Sequence, residues 1–103
     1  GGENIGSVEV ENAINTHPAV LESAVVAAPH QKWGETPAAI VVLKEGQNLT
    51  KEELISYCKQ KLGGFRAPSI VKFVDSLPKG GTGKILKREL KEPFWKGYEK
   101  RVA

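Results

Sequence analysis

Apolar and polar positions in the first part of the chain follow a helical period and then an extended pattern. Ser7 can cap a helix over residues 8–17, and Pro18 would end it because proline cannot continue a helix. The face of that helix turned to the core would carry Val10, Ala13, Ile14 and His17. Two runs rich in valine and alanine, residues 20–28 and 38–43, predict strands that can pair in antiparallel fashion.

The middle of the chain predicts a second helix and a third strand. Thr50 and Glu53 have the spacing of a capping box, in which each side chain binds the other residue's backbone N–H. The buried face of this helix would carry Leu54, Ile55, Cys58 and Leu62, with Gly63-Gly64 at its end. Residues 70–74 predict the third strand. Together these elements indicate an α+β domain: a small three-stranded sheet flanked by helices, with a glycine-rich N-terminal loop and a mobile C-terminal lysine loop.

Composition fits one small globular domain. The chain has 103 residues, of which 40% are hydrophobic and 26% charged, as in ordinary folded domains. Cys58 is the only cysteine, so no internal disulfide can form. No apolar run approaches the length of about 20 residues that spans a bilayer. The sequence contains no methionine, not even at its start, which predicts a fragment or processed piece of a longer protein.

Positive charge is concentrated in the last quarter of the chain. Residues 78–103 hold eight Lys or Arg against three Glu, a net charge of +5, whereas residues 1–77 hold seven against nine acidic residues, a net charge of −2. Such a basic segment favours an anionic partner: phosphates, nucleic acid or an acidic surface. For most of these lysines taken singly, a solvated helix face is the simpler interpretation.

The basic segment begins with a glycine-rich loop, Pro78-Lys79-Gly80-Gly81-Thr82-Gly83-Lys84. Glycine lets a backbone approach a ligand closely, and Lys84 is predicted at the start of a basic helix that Pro93 would break. Since a helix N-terminus disfavours positive charge, Lys84 suggests a role other than helix stability. The loop is not a P-loop, because Pro78 and Ile85 replace the glycine and the Ser or Thr of that motif. From these residues alone, a solvated glycine turn remains open.

A second loop, predicted over residues 29–37, contains Trp33. This side chain can pack on its own domain or serve as an aromatic platform on which a ligand stacks. Cys58 lies on a predicted buried face and is interpreted as a core residue, not a nucleophile. With only His17 and His30 besides that cysteine, the chain offers no zinc spacing, and no triad or carboxylate pair is indicated.

Four segments resemble motifs of the adenylate-forming ligases, acyl-CoA synthetases in particular. Residues 78–88 look like the C-terminal lysine motif of that family. Gly1-Gly2-Glu3-Asn4-Ile5, followed by Val8-Glu9-Val10-Glu11, is similar to the segment just after the family's inter-domain hinge. Trp33-Gly34-Glu35 and Phe65-Arg66-Ala67-Pro68 lie between them in the expected order. The resemblance covers nearly the whole chain.

The resemblance implies that residues 1–103 form a single C-terminal lid domain, while an absent N-terminal domain holds ATP, Mg²⁺ and most of the pocket for a carboxylic acid, such as a fatty acid. In this family, carboxylate and ATP give acyl-adenylate and pyrophosphate, and coenzyme A then gives acyl-CoA and AMP. Lys84 corresponds to the family's catalytic lysine. The implied coenzyme-binding residues are Gly1, Gly2 and Glu3 at the pantetheine tunnel, Trp33 and Phe65 at the adenine, and Arg66 at the phosphates.

Two other functions remain open. The lid of a carrier-protein-loading adenylation domain would perform the same chemistry with another acceptor. A basic nucleic-acid-binding module is the alternative that is not an enzyme. The aromatic residues at 94–98 argue against it, because they cluster instead of interleaving with the cations. For the favoured ligase we expect a cytoplasmic location, no nucleic-acid partner and no transmembrane segment.

Overall fold

The computed structural model of the chain describes residues 7–63 and 66–96. Within these ranges the helices and strands are α1 (Ser7–Asn15), β1 (Val20–His30), β2 (Gly34–Leu43), α2 (Lys51–Leu62), β3 (Ile70–Phe73) and α3 (Lys87–Trp95). The three strands form one sheet with helices around it. The predicted α+β class is therefore confirmed.

The sheet has the order β1-β2-β3 and mixes both kinds of pairing. β1 and β2 form an antiparallel hairpin that closes with His30 opposite Gly34, which confirms the predicted pairing. β3 lies parallel to β2, with Ile70 beside Ala38. Consequently the β1–β2 turn and the start of β3 lie at one end of the sheet, and the chain leaves β3 at the other end.

The loop predicted over residues 29–37 is wrong in extent, because both strands continue through it and only residues 31–33 remain in the turn. Proline usually interrupts a sheet, since it has no N–H for the ladder. Backbone groups of successive residues point to opposite sides of a strand. The carbonyl of Pro37 faces β3 and accepts from the N–H of Ser69 at 3.1 Å. The nitrogen of Pro37 therefore faces away from β1, and that of Pro29 faces the free edge.

The free edge of β1 is occupied by side chains from two helices. The N–H of Val25 donates to Oε2 of Glu11 at 2.7 Å, and the carbonyl of Ala27 accepts from the Trp95 indole N–H at 2.8 Å. Glu11 also forms an ion pair with Lys87. One carboxylate therefore connects α1, β1 and α3.

Alternate residues of the sheet are buried on opposite faces, as expected for extended chains. α1 and α2 cover one face, where the core consists of Val10, Ile14, Val20, Val25, Ala39, Val41, Leu54, Cys58 and Ala67. α3 and the segment before it cover the other face, where the buried residues are Ala24, Val26, Ala28, Ala38, Ile40, Val42 and Leu77. Cys58 has 0% of its surface exposed, so its predicted core role is confirmed.

The helix bounds differ in part from the prediction. Within the described residues α1 runs from Ser7 to Asn15, so His17 lies in the following turn, where its Nδ1 accepts from the N–H of Ala19 at 3.1 Å. α2 has the predicted capping box between Thr50 and Glu53, with bonds of 2.9 and 3.0 Å. The C-terminal helix shows the largest departure.

α3 begins at Lys87, three residues after Lys84, and it contains Pro93. The prediction of a helix that starts at Lys84 and breaks at Pro93 is therefore wrong at both ends. Before Lys87 the chain makes extended contacts instead of helical ones. A proline inside a helix removes one backbone bond, here the one to the carbonyl of Glu89, and the helix ends soon afterwards at Trp95.

Candidate active site

The glycine-rich loop is a closed hairpin, here called the lysine hairpin (residues 78–86). An isolated antiparallel bridge joins Lys79 to Ile85. Three backbone bonds of 2.9, 3.0 and 2.9 Å close it: Gly80 N–H to the Lys84 carbonyl, Gly83 N–H to the Gly80 carbonyl, and Leu86 N–H to the Pro78 carbonyl. Gly83 has a φ of 86°, which residues with a side chain adopt only with strain. The hairpin therefore has a defined shape.

The base of the lysine hairpin is anchored to the sheet. Leu77 is buried, and Ile85 packs against the same apolar cluster under α3. The Nζ of Lys79 pairs with Oε2 of Glu22 on β1 at 3.0 Å. Because these contacts would separate if the hairpin moved alone, they oppose independent movement of the hairpin. Mobility of the loop itself stays a prediction.

Lys84 carries an ammonium group without an ion-pair partner in residues 7–63 and 66–96. Its side chain is exposed. The neighbouring Lys79 and Lys87, in contrast, pair with Glu22 and Glu11. The ammonium of Lys84 can therefore bind an anion without first breaking an internal salt bridge.

Trp33 occupies the β1–β2 turn, at the opposite end of the sheet, and is 64% exposed. Its indole stacks on the imidazole of His30, with ring centroids 4.2 Å apart and planes at 10°. The Nδ1 of His30 accepts from the backbone N–H groups of Lys32 at 3.0 Å and Trp33 at 3.2 Å. Gly34 follows with a φ of 82°. Trp33 thus contacts its own turn and does not enter the core.

Arg66 lies just before the start of β3, at the same end of the sheet as the turn. Its guanidinium forms an ion pair with Glu9 of α1, and both side chains are about half exposed. Exposed pairs of this kind contribute about 0–1 kcal/mol, so a phosphate can compete for the guanidinium. Ser69 fixes this connector to β2 through a hydroxyl bond of 2.7 Å with Thr36.

Lys84 and Trp33 therefore lie at opposite ends of the domain. Glu22 pairs with the base of the lysine hairpin, and His30 lies under Trp33. Positions 22 and 30 of β1 are eight residues apart, which corresponds to roughly 26 Å of extended strand. The two predicted site residues are therefore attached to parts of the domain that lie far apart along the sheet.

Four predicted site residues lie outside the described residues: Gly1, Gly2, Glu3 and Phe65. Conversely, sequence reasoning missed His30, which stacks on Trp33, and Glu22, which pairs with Lys79 at the base of the hairpin that carries Lys84. His30 precedes Trp33 by three positions, a separation typical of a turn contact. Glu22 is 57 positions from Lys79, and no local pattern signals that pair.

Three further observations concern Cys58, metal-binding side chains and helix length. Burial raises the pKa of the Cys58 thiol, which disfavours the thiolate that a nucleophile requires. Among the described residues, no group of three or more His, Cys, Asp or Glu side chains could hold a metal ion. No helix in residues 7–63 and 66–96 is both long enough and apolar enough to cross a bilayer.

Known proteins are similar to this chain in both sequence and fold. The family described as AMP-binding enzyme C-terminal domain matches residues 9–84, a range that ends at Lys84. A peroxisomal trans-cinnamate:CoA ligase of Petunia hybrida is 52% identical over 92 residues, which cover 89% of this chain and 16% of that protein. Since this relative is named as peroxisomal, the predicted cytoplasmic location is not confirmed.

Two solved structures have the same fold. An acyl-CoA synthetase of Brucella canis aligns with a TM-score of 0.84 and 35% identity, over 90% of this chain and 18% of that one. ATP-bound MatB of Rhodopseudomonas palustris aligns with a TM-score of 0.81 and 34% identity, over 85% and 18%. The chain spans less than a fifth of the length of each of these relatives. It belongs to the family of AMP-binding enzyme C-terminal domains, which is part of the adenylate-forming ligases.

Proposed function

We propose that this chain is the lid domain of an ATP-dependent carboxylic acid–CoA ligase, and that it contributes to two half-reactions from opposite ends. The separation of Lys84 from Trp33 along β1 supports this proposal. A domain held in one orientation could bring only one of these residues to the active site. Rotation of the domain between the half-reactions would bring each end to the active site in turn.

In the first half-reaction, a carboxylate oxygen attacks the α-phosphorus of ATP and pyrophosphate leaves. Both reactants are anions, so negative charge accumulates as they approach. The ammonium of Lys84 would contact the carboxylate and phosphate oxygens and offset that charge. Because the lysine hairpin is already closed, little reorganisation would be needed. Loss of one such electrostatic group typically lowers kcat by about 10²–10³-fold.

In the second half-reaction, the thiol of coenzyme A attacks the acyl carbonyl carbon, loses its proton, and AMP leaves. Trp33 would stack on the adenine, and Arg66 would exchange Glu9 for a phosphate. Gly1, Gly2 and Glu3 would line the pantetheine tunnel, and Phe65 would also stack on the adenine. A carrier-protein thiol could replace coenzyme A in the same chemistry. It has no adenine, however, so the exposed indole favours coenzyme A as the acceptor.

The proposed substrates are ATP, a carboxylic acid and coenzyme A, and the proposed partner is an N-terminal domain of the same protein. The Mg²⁺ that accompanies ATP would be bound by that partner domain. The acyl pocket would lie there as well. A fatty acid and an aromatic acid, such as the cinnamate in the name of the Petunia relative, are equally compatible with this chain.

The test of Lys84 separates the two half-reactions in the full-length enzyme. We expect Lys84→Ala to lower acyl-CoA formation from ATP by about 10²-fold or more, because the first half-reaction loses its cation. Chemically made acyl-adenylate plus coenzyme A should react at nearly the normal rate. Lys44→Ala is the matched control, since Lys44 is exposed at the same end of the sheet and has no ion-pair partner in the described ranges.

Equal losses in both assays, or no loss in either, would remove the assignment of Lys84. Failure of the unmodified enzyme to form acyl-CoA from any tested acid would remove the ligase proposal itself. If such a protein instead bound DNA with a steep salt dependence, the nucleic-acid-binding alternative would take its place.

A further inference from the structure

The indole of Trp33 is exposed and yet restrained. A large apolar side chain in a surface turn would normally exchange between rotamers, and a ligand that binds it must then fix one of them. Here the imidazole of His30 covers one face of the indole at 4.2 Å, and the high exposure of 64% leaves the other face open to solvent. The orientation of Trp33 is therefore established before any ligand binds.

His30 restrains this turn in two separable ways. Its ring supplies the stacking surface, and its Nδ1 accepts the backbone N–H groups of Lys32 and Trp33. The second role is one that Asn or Asp side chains usually fill, by accepting from the backbone two residues further on. A histidine at this position performs that role and also adds an aromatic face.

The support under the pair is rigid. β1 and β2 are hydrogen-bonded up to His30 opposite Gly34, so the turn has only three residues that are not in a strand. The sheet beneath it is covered on both faces. Sites that are built on regular elements hold their geometry better than sites on long loops.

We propose that His30 is a positioning residue that fixes the Trp33 indole, so that the two rings form a preorganised platform for a purine base. This inference rests on the proposed function, in which the purine is the adenine of coenzyme A. His30 does not touch the reacting atoms. It acts through Trp33 by lowering the entropy that the indole loses when the base stacks on it.

The experiment compares two thiol acceptors in the full-length enzyme: coenzyme A, which carries the adenine, and pantetheine, which does not. Trp33→Ala should raise the KM for coenzyme A by about 10-fold, because a stacked base typically contributes that much. The KM for pantetheine and the kcat with either acceptor should stay unchanged. His30→Ala should reproduce most of this pattern.

Three further variants separate the roles of His30. His30→Asn keeps an acceptor for the turn, and His30→Phe keeps the ring, so each should restore part of the affinity that His30→Ala loses. Adding His30→Ala to Trp33→Ala should have no additional effect, because His30 acts only through the indole. Gln31→Ala is the control for an exposed position in the same turn. Formation of acyl-adenylate should be normal in every variant, since Lys84 lies at the other end of the sheet.

Each failure has a distinct meaning. If Trp33→Ala raised the KM for coenzyme A and His30→Ala did not, the positioning role would be overturned and the ligase proposal would stand. If His30→Ala weakened coenzyme A further in the Trp33→Ala background, His30 would act on its own and the inference would again fail. If the unmodified enzyme formed no coenzyme A thioester, the proposed function would fall and the platform with it.

Discussion

At the scale of single residues, solvent exposure decides which polar groups can take part in chemistry. Lys84 and Cys58 are the two extremes. The ammonium of Lys84 is exposed and unpaired within the described ranges, so an anion can reach it. The thiol of Cys58 is fully buried in the core between the sheet and the helices α1 and α2, and that burial raises its pKa.

We expect iodoacetamide to alkylate Cys58 slowly in the folded 103-residue chain and rapidly in denaturant, because the thiolate is the reactive form. The raised pKa also has a consequence for stability. The thiol ionises at a lower pH in the unfolded chain than in the folded one. Its contribution to the free energy of unfolding is therefore fully present below the ordinary thiol pKa and decreases as the pH rises above that value.

Urea unfolding at neutral and alkaline pH measures this loss. Cys58→Ala should remove the part of the alkaline loss that the thiol causes. Fast alkylation under native conditions would show instead that α2, the helix that carries Cys58, opens readily.

At the scale of elements, the lysine hairpin depends on the backbone conformation of one glycine. Gly83 has a φ of 86° and makes the tip bond to the Gly80 carbonyl. Gly81, in contrast, is not among the described glycines with positive φ, and a Cβ there would meet no atom within 4 Å. The chain thus offers a matched pair of substitutions in one turn.

We expect Gly83→Ala to lower the free energy of unfolding by about 1 kcal/mol, the cost of a left-handed conformation for an L-residue. It should also slow acyl-adenylate formation, because the tip that orients Lys84 is distorted. Gly81→Ala should leave both quantities nearly unchanged. Pyrophosphate exchange and urea unfolding provide the two measurements. Similar losses for both variants would mean that general flexibility matters, and not this particular backbone angle.

The elements also show which features sequence reasoning could reach. The capping box at Thr50 and Glu53 was predictable because both partners lie within one helical turn. The strand extensions through Pro29 and Pro37 were not, since whether a proline is tolerated depends on which side of the strand its nitrogen faces. The start of α3 was misplaced for a similar reason: backbone pairing across the lysine hairpin overrides the helical pattern that begins at Lys84.

The candidate site was predictable to a similar extent. Lys84 and Trp33 could be selected from short motifs, and the structure leaves both exposed. Their separation could not be foreseen, because it follows from the parallel pairing of β3 with β2. The contact between Glu22 and Lys79 joins distant parts of the chain, so it too could be found only once the fold was known.

At the scale of the whole molecule, both faces of the sheet are covered by helices of the same chain. We therefore expect residues 1–103 to fold alone, with a cooperative thermal transition measured by circular dichroism, and to form no acyl-CoA, because the proposed ATP site belongs to another domain. Measurable acyl-CoA formation by this chain alone would contradict the proposal that the ATP site belongs to another domain. A chain that is unfolded alone would mean that the core depends on contacts with the partner domain.

The free edge of β1 has a consequence for a domain that is proposed to rotate. Each rotation would uncover surface to the surrounding solution, where an unpaired strand can recruit a strand of another chain and start aggregation. The N–H of Val25 and the carbonyl of Ala27 are already bonded to Glu11 and Trp95, and Pro29 has no N–H to donate. The same side chains that connect the layers of the fold would thus protect the protein from self-association during the proposed rotation.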